Sequence, residues 1–453
     1  MNLTGKKILV VGAGISGIAA AKVAKKLGAE VTLSDAKSED KIAFNLNELR
    51  EAGVSVVLGP QEEKQLDGID SVIASPAVPL KVPFLQAALK RGIEVISEVE
   101  FSWRLAKAPF FAVTGTNGKT TTTTLLGLLM ETVYPVVGVG GNIGVPLCEE
   151  TLRAGSEGCI VAEISSYQME SSYEFCPHIS AILNVTPDHV VRHGNLDVYQ
   201  QMKEKIFAHQ TADDVTVLNY DNEPTRGMAE RVPGKVCYFS RVKELDEGAF
   251  VQDGWLVMRW DGRLTKVMPV ADLQIKGAHN VENALAAMAV ALLAGGEPEK
   301  LAKVMREFPG VEHRIEPVEE VNGVMYYNDS KATNTDSSIK ALESFDGHII
   351  LLAGGDDKMT DLTEFMTLVK ERVDELILVG DAAARFKEAA LGLGYPAEHI
   401  HEAGYDMAKA VELAHKLAAA PQIVLLSPAC ASFDMFTGFE ERGRVFKDLV
   451  RKL

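Results

Sequence analysis

The residues best suited to chemistry lie in the run Thr114-Gly115-Thr116-Asn117-Gly118-Lys119-Thr120-Thr121, between an apolar stretch and a helical pattern. A glycine-containing loop that opens a helix turns backbone N–H groups toward an anion. A lysine there places a point charge on β- and γ-phosphates, and a hydroxyl at the position of Thr120 can ligate Mg²⁺. The run departs from the strict phosphate-loop pattern, because Val113 stands where the first glycine is expected. Triphosphate binding is predicted here against the alternative of an ordinary loop.

A second glycine signal, Gly12-x-Gly14-x-x-Gly17, sits between a strand and a helix, with Asp35 after the next strand. Such glycines permit a tight turn and close approach to a diphosphate, and Asp35 can accept from a ribose hydroxyl or another polar donor. On its own this suggests a dinucleotide. The alternative is a turn used only for helix–strand packing.

Two further strands end in side chains that suit a metal. Cys159–Ala162 runs into Glu163, and Ala181–Thr186 runs into Pro187-Asp188-His189. Consecutive strands of a parallel sheet emerge on one edge, which would bring Lys119, Glu163 and His189 to a common rim. Carboxylate and hydroxyl oxygens suit Mg²⁺ and imidazole is an unusual partner for it, so His189 otherwise reads as a loop residue. His279-Asn280-x-x-Asn283 opens a helix; both amides are placed to read an adenine edge, or Asn280 simply caps the helix. Near the C-terminus, Asn328–Asn334, Ala353–Lys358 and Ser427–Asp434 repeat the rim logic with lysines and hydroxyls that suit an anionic substrate.

Three blocks of alternating strands and helices must position these groups, which predicts an α/β chain of three domains, each on a mainly parallel sheet with flanking helices. The first has strands at Lys7–Gly12, Glu30–Ser34, Ser55–Leu58, Ser71–Ala74 and Glu94–Ile96, with a helix at Ile18–Leu27. The second has strands at Phe110–Thr114, Gly158–Ile164, Ile179–Val185 and Val215–Asn219. Between Val236 and Val270 the pairs Asp253-Gly254 and Asp261-Gly262 favour tight hairpins, so an antiparallel meander is appended there. The third has strands at Met325–Asn328, His348–Ala353, Glu375–Val379 and Gln422–Ser427. Boundaries near residues 98 and 310 give domains of 1–98, 99–310 and 311–453, with hinges at the two boundaries.

Bulk composition narrows the partners. A formal net charge of −17 excludes the Lys/Arg stripes that hold nucleic acid, while leaving room for local phosphate sites. The five cysteines (Cys148, Cys159, Cys176, Cys237, Cys430) form no C-x-x-C pair and read as reduced thiols of a cytoplasmic protein. The N-terminus lacks the pattern of a secretory signal, and the most apolar helix, Asn283–Ala294, is too short to span a bilayer.

Taken together, Gly115–Thr120, Glu163-Ile164-Ser165-Ser166-Tyr167-Gln168, Asn184–His189, His279-Asn280, His313-Arg314 and Asp329-Ser330-Lys331 resemble the Mur ligases, which build the peptide of bacterial peptidoglycan. The resemblance covers essentially the whole chain. Its glycine-turn first domain and Leu426–Asp434 are most similar to the branch that adds D-glutamate to UDP-N-acetylmuramoyl-L-alanine. It implies an ATP-dependent carbon–nitrogen ligase acting through an acyl phosphate, with ATP, that sugar nucleotide and D-glutamate as substrates, Mg²⁺ (two ions) as cofactor, and a monomer. The first domain would then hold UDP rather than a nicotinamide cofactor, with Gly14, Ile15, Ser16 and Asp35 near it and Asn142 and His189 near the sugar nucleotide. ATP would meet Gly115, Thr116, Asn117, Gly118, Lys119, Thr120, Thr121, Asn280, Asn283, Arg314 and Asp329. D-glutamate would meet Lys331, Thr333, Lys358, Ser432, Phe433 and Phe439.

The same resemblance makes Lys119, His189 and Lys203 catalytic, and Thr120, Glu163, His189 and a carbamylated Lys203 the metal ligands. An ammonium about 4 Å from a dication, at an effective dielectric near 20, is repelled by roughly 8 kcal/mol. Deprotonating lysine at pH 7 costs only about 4–5 kcal/mol, so a cationic Lys203 is disfavoured beside Mg²⁺ and a carbamate turns repulsion into ligation. The alternative is a surface lysine paired with Glu204 or Asp197. Val191 and Ala77 depart from the family pattern, at positions where relatives carry an acidic residue and a glycine. Three rival functions remain: a sister ligase adding L-alanine to UDP-N-acetylmuramate, an NAD-dependent dehydrogenase, and a phosphate-loop ATPase switch.

Overall fold

The computed structural model describes every residue except 1, 43 and 187–194. Twenty strands in three sheets are described. They are β1 Lys7–Val11, β2 Glu30–Asp35, β3 Ser55–Leu58, β4 Ser71–Ala74, β5 Glu94–Ser97, β6 Phe110–Thr114, β7 Val137–Gly141, β8 Cys159–Glu163, β9 Ile179–Ile182 and β10 Val215–Asn219. The remainder are β11 Lys235–Ser240, β12 Gly248–Gln252, β13 Trp255–Trp260, β14 Arg263–Pro269, β15 Glu316–Val321, β16 Val324–Asn328, β17 Ile349–Gly354, β18 Val373–Val379, β19 Ile400–Gly404 and β20 Ile423–Leu426.

The first sheet, ordered β3-β2-β1-β4-β5, is parallel throughout. Its strands alternate between two buried faces. Ile8, Val10 and Leu33 pack with Ala20 and Ala24 of the helix Ile15–Lys26, while Leu9, Val11 and Val72 meet Phe84, Leu85 and Ala88 of the helix Pro83–Lys90. The second sheet runs β14-β13-β12-β11-β10-β9-β6-β8-β7. Its parallel part extends from β7 through β12, and only β12-β13-β14 are antiparallel. The antiparallel meander expected between Val236 and Val270 is β12–β14, while β11 pairs parallel with both β10 and β12. Both Asp-Gly hairpins form: Asp253, Gly254, Asp261 and Gly262 all have positive φ. The third sheet, β15-β16-β20-β17-β18-β19, is parallel except for the edge pair β15–β16.

By contact density the chain divides into two compact units, Met1–Asp272 with Glu282–Arg306, and Leu273–Val281 with Glu307–Leu453. The first unit holds the first two sheets, and the helix Glu98–Leu105 explains their union. Ser97 caps this helix, its amide donates to Ser171 O, and its hydroxyl bonds Ser172 Oγ at 2.7 Å. The buried Glu100 carboxylate accepts the Tyr173 and Glu174 amides, and Trp103 Nε1 donates to Cys176 O. These bonds tie the start of this helix to residues 171–176.

Gly17 packs so that a Cβ would overlap Gly12 O, whereas a Cβ on Gly14 would meet nothing within 4 Å. Gly17→Ala is expected to destabilise the protein by about 2 kcal/mol or more through forced helix displacement. Gly14→Ala should leave the urea midpoint near wild type, and equilibrium unfolding of both variants checks the pair.

Candidate active site

The second sheet sets three strand ends side by side, because β6 lies between β9 and β8, with Val113 opposite Glu163 and Thr114 opposite Ile182. The loop 115–118 leaves the end of β6 and enters the helix Lys119–Met130 through Gly118, whose φ is 81°. Its backbone is pinned from β9's extension: Thr116 N donates to Asn184 O, and Asn117 N donates to Asn184 Oδ1 at 2.8 Å. Thr116 Oγ1 accepts from Thr186 N and from the buried Tyr199 hydroxyl. Lys119 Nζ donates to Gly115 O and Thr116 O at 2.9 and 2.8 Å, folding over the loop it follows. Thr120 and Thr121 are buried at the first turn.

Lys203 approaches the same loop. It lies in the helix Leu196–Glu204, is 1% exposed, donates to Gly115 O at 2.8 Å and sits 4.4 Å above the Tyr199 ring. The surface-lysine alternative fails, since Glu204 pairs instead with Arg231 and Lys203 is interior. Glu163 is equally buried. Its Oε1 accepts from Asn142 Nδ2 at 2.7 Å, and its Oε2 is enclosed without a hydrogen-bond partner among the described residues. Asn142 N also donates to the Glu163 backbone carbonyl, so Asn142 holds this residue by one bond to its carboxylate and one to its main chain. A buried carboxylate oxygen without a donor, at a strand end beside a phosphate-type loop, fits a divalent cation. His189 and Val191 lie outside the described residues.

Asn283, in the helix Ala278–Leu293, lies over the loop: its Oδ1 accepts from Thr122 Oγ1 at 3.3 Å, and a Cβ on Gly118 would strike its carboxamide. Asn280 stands in the first turn of that helix rather than at its cap, and its amide donates to Lys276 O. Burial pushes the neighbouring His279 down to about 4, with Arg314 and Lys340 adding to the shift. In the first sheet, Gly14 precedes the helix with open space above it, Ile15 is 49% exposed and Ser16 half-buried. Asp35 holds the glycine turn from below, accepting Ala13 N at 2.8 Å and Lys37 N at 2.9 Å.

In the second unit, β16, β20 and β17 are adjacent, so the loops after Asn328, Leu426 and Gly354 share one edge. Asp329 is buried, accepting from Ser427 Oγ at 2.7 Å and Ile315 N at 3.2 Å; burial pushes its carboxyl up to about 7, opposed by those bonds and by Arg314. Lys331 Nζ lies 5.5 Å over the Phe439 ring. Thr333 N donates to Lys331 O, Ser432 is buried, Phe433 is 71% exposed, and Lys358 is exposed. The residue that joins these loops is Arg442, 1% exposed, which donates to Ser330 Oγ, Ser330 O, Cys430 O and Ala431 O. Sequence reasoning passed over it, because one arginine in an amphipathic helix reads as solvated. Burial lowers its guanidinium to about 10.

Three sheets with this loop on the central one are the architecture of the Mur ligases. Family models match in order: the MurD-like N-terminal domain of Mur ligases over residues 6–97, the Mur ligase middle domain over 113–291, and the Mur ligase glutamate ligase domain over 313–430. The chain belongs to the Mur ligase family. It is 44% identical over 453 residues to the UDP-N-acetylmuramoylalanine--D-glutamate ligase of Thermoanaerobacter sp. (strain X514), and 45% identical over 453 residues to that of Caldanaerobacter subterraneus subsp. tengcongensis, covering 100% of both chains in each case. UDP-N-acetylmuramate-alanine ligase MurC from Thermotoga maritima shares the fold with a TM-score of 0.60 at 20% identity, over 98% of this chain and 99% of that one. MurF from Acinetobacter baumannii does so with a TM-score of 0.61 at 18% identity, over 98% and 93%.

The Asp329 shift has a definite sign. Its ordinary value is 3.8 and its folded value about 7, so the folded chain keeps a proton that the unfolded chain releases between them. Stability from this group is full below the lower value and is lost as pH rises through the upper one. Asp329→Asn should match wild type at pH 4 and exceed it at pH 8 by on the order of 2–4 kcal/mol in ligand-free protein. Thermal unfolding at both pH values tests this.

Proposed function

We propose that the protein is an ATP-dependent ligase that joins the carboxylate of UDP-N-acetylmuramoyl-L-alanine to the amine of D-glutamate, releasing ADP and phosphate, in peptidoglycan precursor synthesis. The observation that carries the chemistry is the loop after β6, where Lys119 and the buried Lys203 both reach Gly115 O, with the enclosed Glu163 carboxylate on the adjacent strand. The assignment of amino acid and sugar nucleotide rests on relatives of that name that are 41–45% identical over the full length. Domains of 1–98, 99–310 and 311–453 divide the work among UDP, ATP and amino acid. Among the described residues no helix is long and apolar enough to cross a membrane; in this reading the protein works in the cytoplasm as a monomer.

In this reading Gly115, Thr116, Asn117, Gly118 and Thr121 present the loop amides and hydroxyls to the triphosphate, and Lys119 swings from its carbonyl partners onto the transferring phosphoryl group. Asn280, Asn283, Arg314 and Asp329 complete the nucleotide contacts. Thr120, Glu163, His189 and Lys203 as its carbamate would hold Mg²⁺, which when bound neutralises phosphate charge. A carbamylated Lys203 keeps one N–H for Gly115 O while gaining two oxygens, so the modification preserves the observed bond. Gly14, Ile15, Ser16 and Asp35 take the UDP, with Asn142 and His189 toward the sugar.

The carboxylate attacks the γ-phosphorus, forming an acyl phosphate and ADP. The D-glutamate amine, held by Lys331, Thr333, Lys358, Ser432, Phe433 and Phe439, then attacks the acyl carbon, and phosphate leaves with the amide formed. Aligning three ligands supplies much of the acceleration. A dehydrogenase would leave this loop idle.

Phosphate release should require ATP, UDP-N-acetylmuramoyl-L-alanine and D-glutamate together. Turnover without amino acid would favour a switch ATPase, and turnover with UDP-N-acetylmuramate and L-alanine a sister ligase. Lys119→Ala should lower kcat by about 10³-fold or more while the fold persists, as judged by unfolding. The carbamate should appear as a ¹³C resonance after incubation with ¹³C-bicarbonate, absent in Lys203→Ala.

A further inference from the structure

Arg314 sits between two residues with left-handed backbone, His313 at φ 64° and Ile315 at φ 44°. Neither is glycine, and such residues persist only where neighbouring contacts over-determine the chain. Those contacts are present on every side. Glu316 Oε2 accepts His313 N at 2.9 Å, Asp329 Oδ1 accepts Ile315 N, and Lys331 N donates to His313 O at 3.0 Å. Asn328 Nδ2 donates to His313 Nδ1 at 2.8 Å and to Glu316 Oε2 at 2.9 Å.

The helix Phe439–Val450 closes this cage with one stripe of its surface. Residues 439, 443 and 447 recur at i, i+4 and i+8 and so lie on one face. The Phe439 ring meets His313 edge-on at 6.0 Å. Gly443 lies under the imidazole so tightly that a Cβ would overlap His313 Nδ1 and come within 3.1 Å of Asn328 Nδ2. Lys447 Nζ, buried, donates to Glu312 Oε1 at 2.6 Å and Glu316 Oε1 at 2.9 Å. Glu312, His313 and Glu316 place three donor groups within 4.8 Å of one another, the composition of a metal site. The lysine ammonium already bridges both carboxylates, so this cluster has a built-in cation.

We propose that this stripe is a clamp that sets the Arg314 turn, and that Lys447 is a positioning residue for the nucleotide site. Lys447 touches no substrate in this scheme. It fixes Glu316, which fixes His313 N and Asn328, and these hold the backbone that aims Arg314. The proposal rests on the reading that Arg314 meets ATP.

The test is steady-state kinetics of the full chain with each substrate varied in turn. Lys447→Met should raise the KM for ATP about tenfold, with the KM for D-glutamate changed by less than about twofold, and Lys447→Arg should recover most of the loss. Glu312→Gln, at an exposed partner that the fold does not need, should raise the ATP KM about threefold. Lys416→Ala, in an exposed i,i+4 pair with Glu412, should change neither constant. Combining Lys447→Met with Arg314→Lys should add little to the ATP effect of Arg314→Lys alone, because both act through one guanidinium. Unchanged ATP KM in Lys447→Met and Glu312→Gln, with only a lower melting temperature, would overturn the clamp. If Lys447→Met does not fold, Glu312→Gln and Lys447→Arg decide alone. An Arg314→Ala variant with unaltered ATP KM would instead overturn the underlying assignment of Arg314, whatever the clamp variants do.

Discussion

The carbonyl oxygen of Gly115 accepts from two lysines far apart in sequence, Lys119 four residues on and Lys203 from a distant helix. Before any carbamylation of Lys203, two cationic groups converging on one carbonyl, at the positive end of a helix, concentrate positive potential at the mouth of the loop. The surrounding fold supplies what that arrangement needs. β9's extension clamps the loop through Asn184, Tyr199 stacks beneath Lys203 and bonds Thr116, and the helix carrying Asn283 covers Gly118 so that only glycine fits there. The sheet order follows from the same requirement, since the end of β6 can carry the loop beside Glu163 only when β8 and β9 flank it. Catalytic geometry here is thus set by strand order before any side chain is chosen.

How much of this could be read from the residues depends on whether the signal was local. The phosphate-type loop, the glycine turn and the two Asp-Gly hairpins are short patterns whose backbone demands are written in their own residues, and the structure realises each of them. Strands β4, β6 and β10 match the expected ranges, because buried parallel strands are short apolar runs bounded by turns, and the half-exposed edge strand β3 matches as well. Strands β7, β15 and β19 were not expected. Val137–Gly141 is rich in glycine, Glu316–Val321 is an edge strand with charged residues at half its positions, and Ile400–Gly404 is a half-exposed edge. Edge strands lack the alternation that betrays a strand, since neither face is fully covered. The bonds from Ser97, Glu100 and Trp103 to residues 171–176 are likewise long-range pairings with no local mark.

The third sheet shows a different economy of charge. Asp329, Arg442 and Lys447 are all buried beside its loops, where an unpaired charge would be costly. Arg442 meets that cost with four donations to three residues, which fastens the loop after β16 to the loop after β20. Lys447 does so with two carboxylates, and Asp329 by retaining its proton toward neutral pH. Replacing these groups with apolar side chains would satisfy stability and lose the specific loop geometry. Their retention is better explained by placement of the rim than by strength of the core, and for that reason sequence reasoning found Asp329, in a motif, but neither Arg442 nor Lys447, in a helix.

The overall charge then sets a constraint on how anionic substrates bind. At −17 the protein repels ATP and a sugar nucleotide at long range. Beyond a screening length of about 8 Å at physiological ionic strength that repulsion fades, and inside it the nearest groups dominate. The cationic side chains proposed to meet the substrates are few and close to backbone donors: Lys119 at one loop, Arg314 and Lys331 at another. Affinity must therefore come from short, oriented contacts rather than from a general field. That favours rigid loops over flexible basic patches, which is the reason so many bonds in this chain hold these few side chains in place.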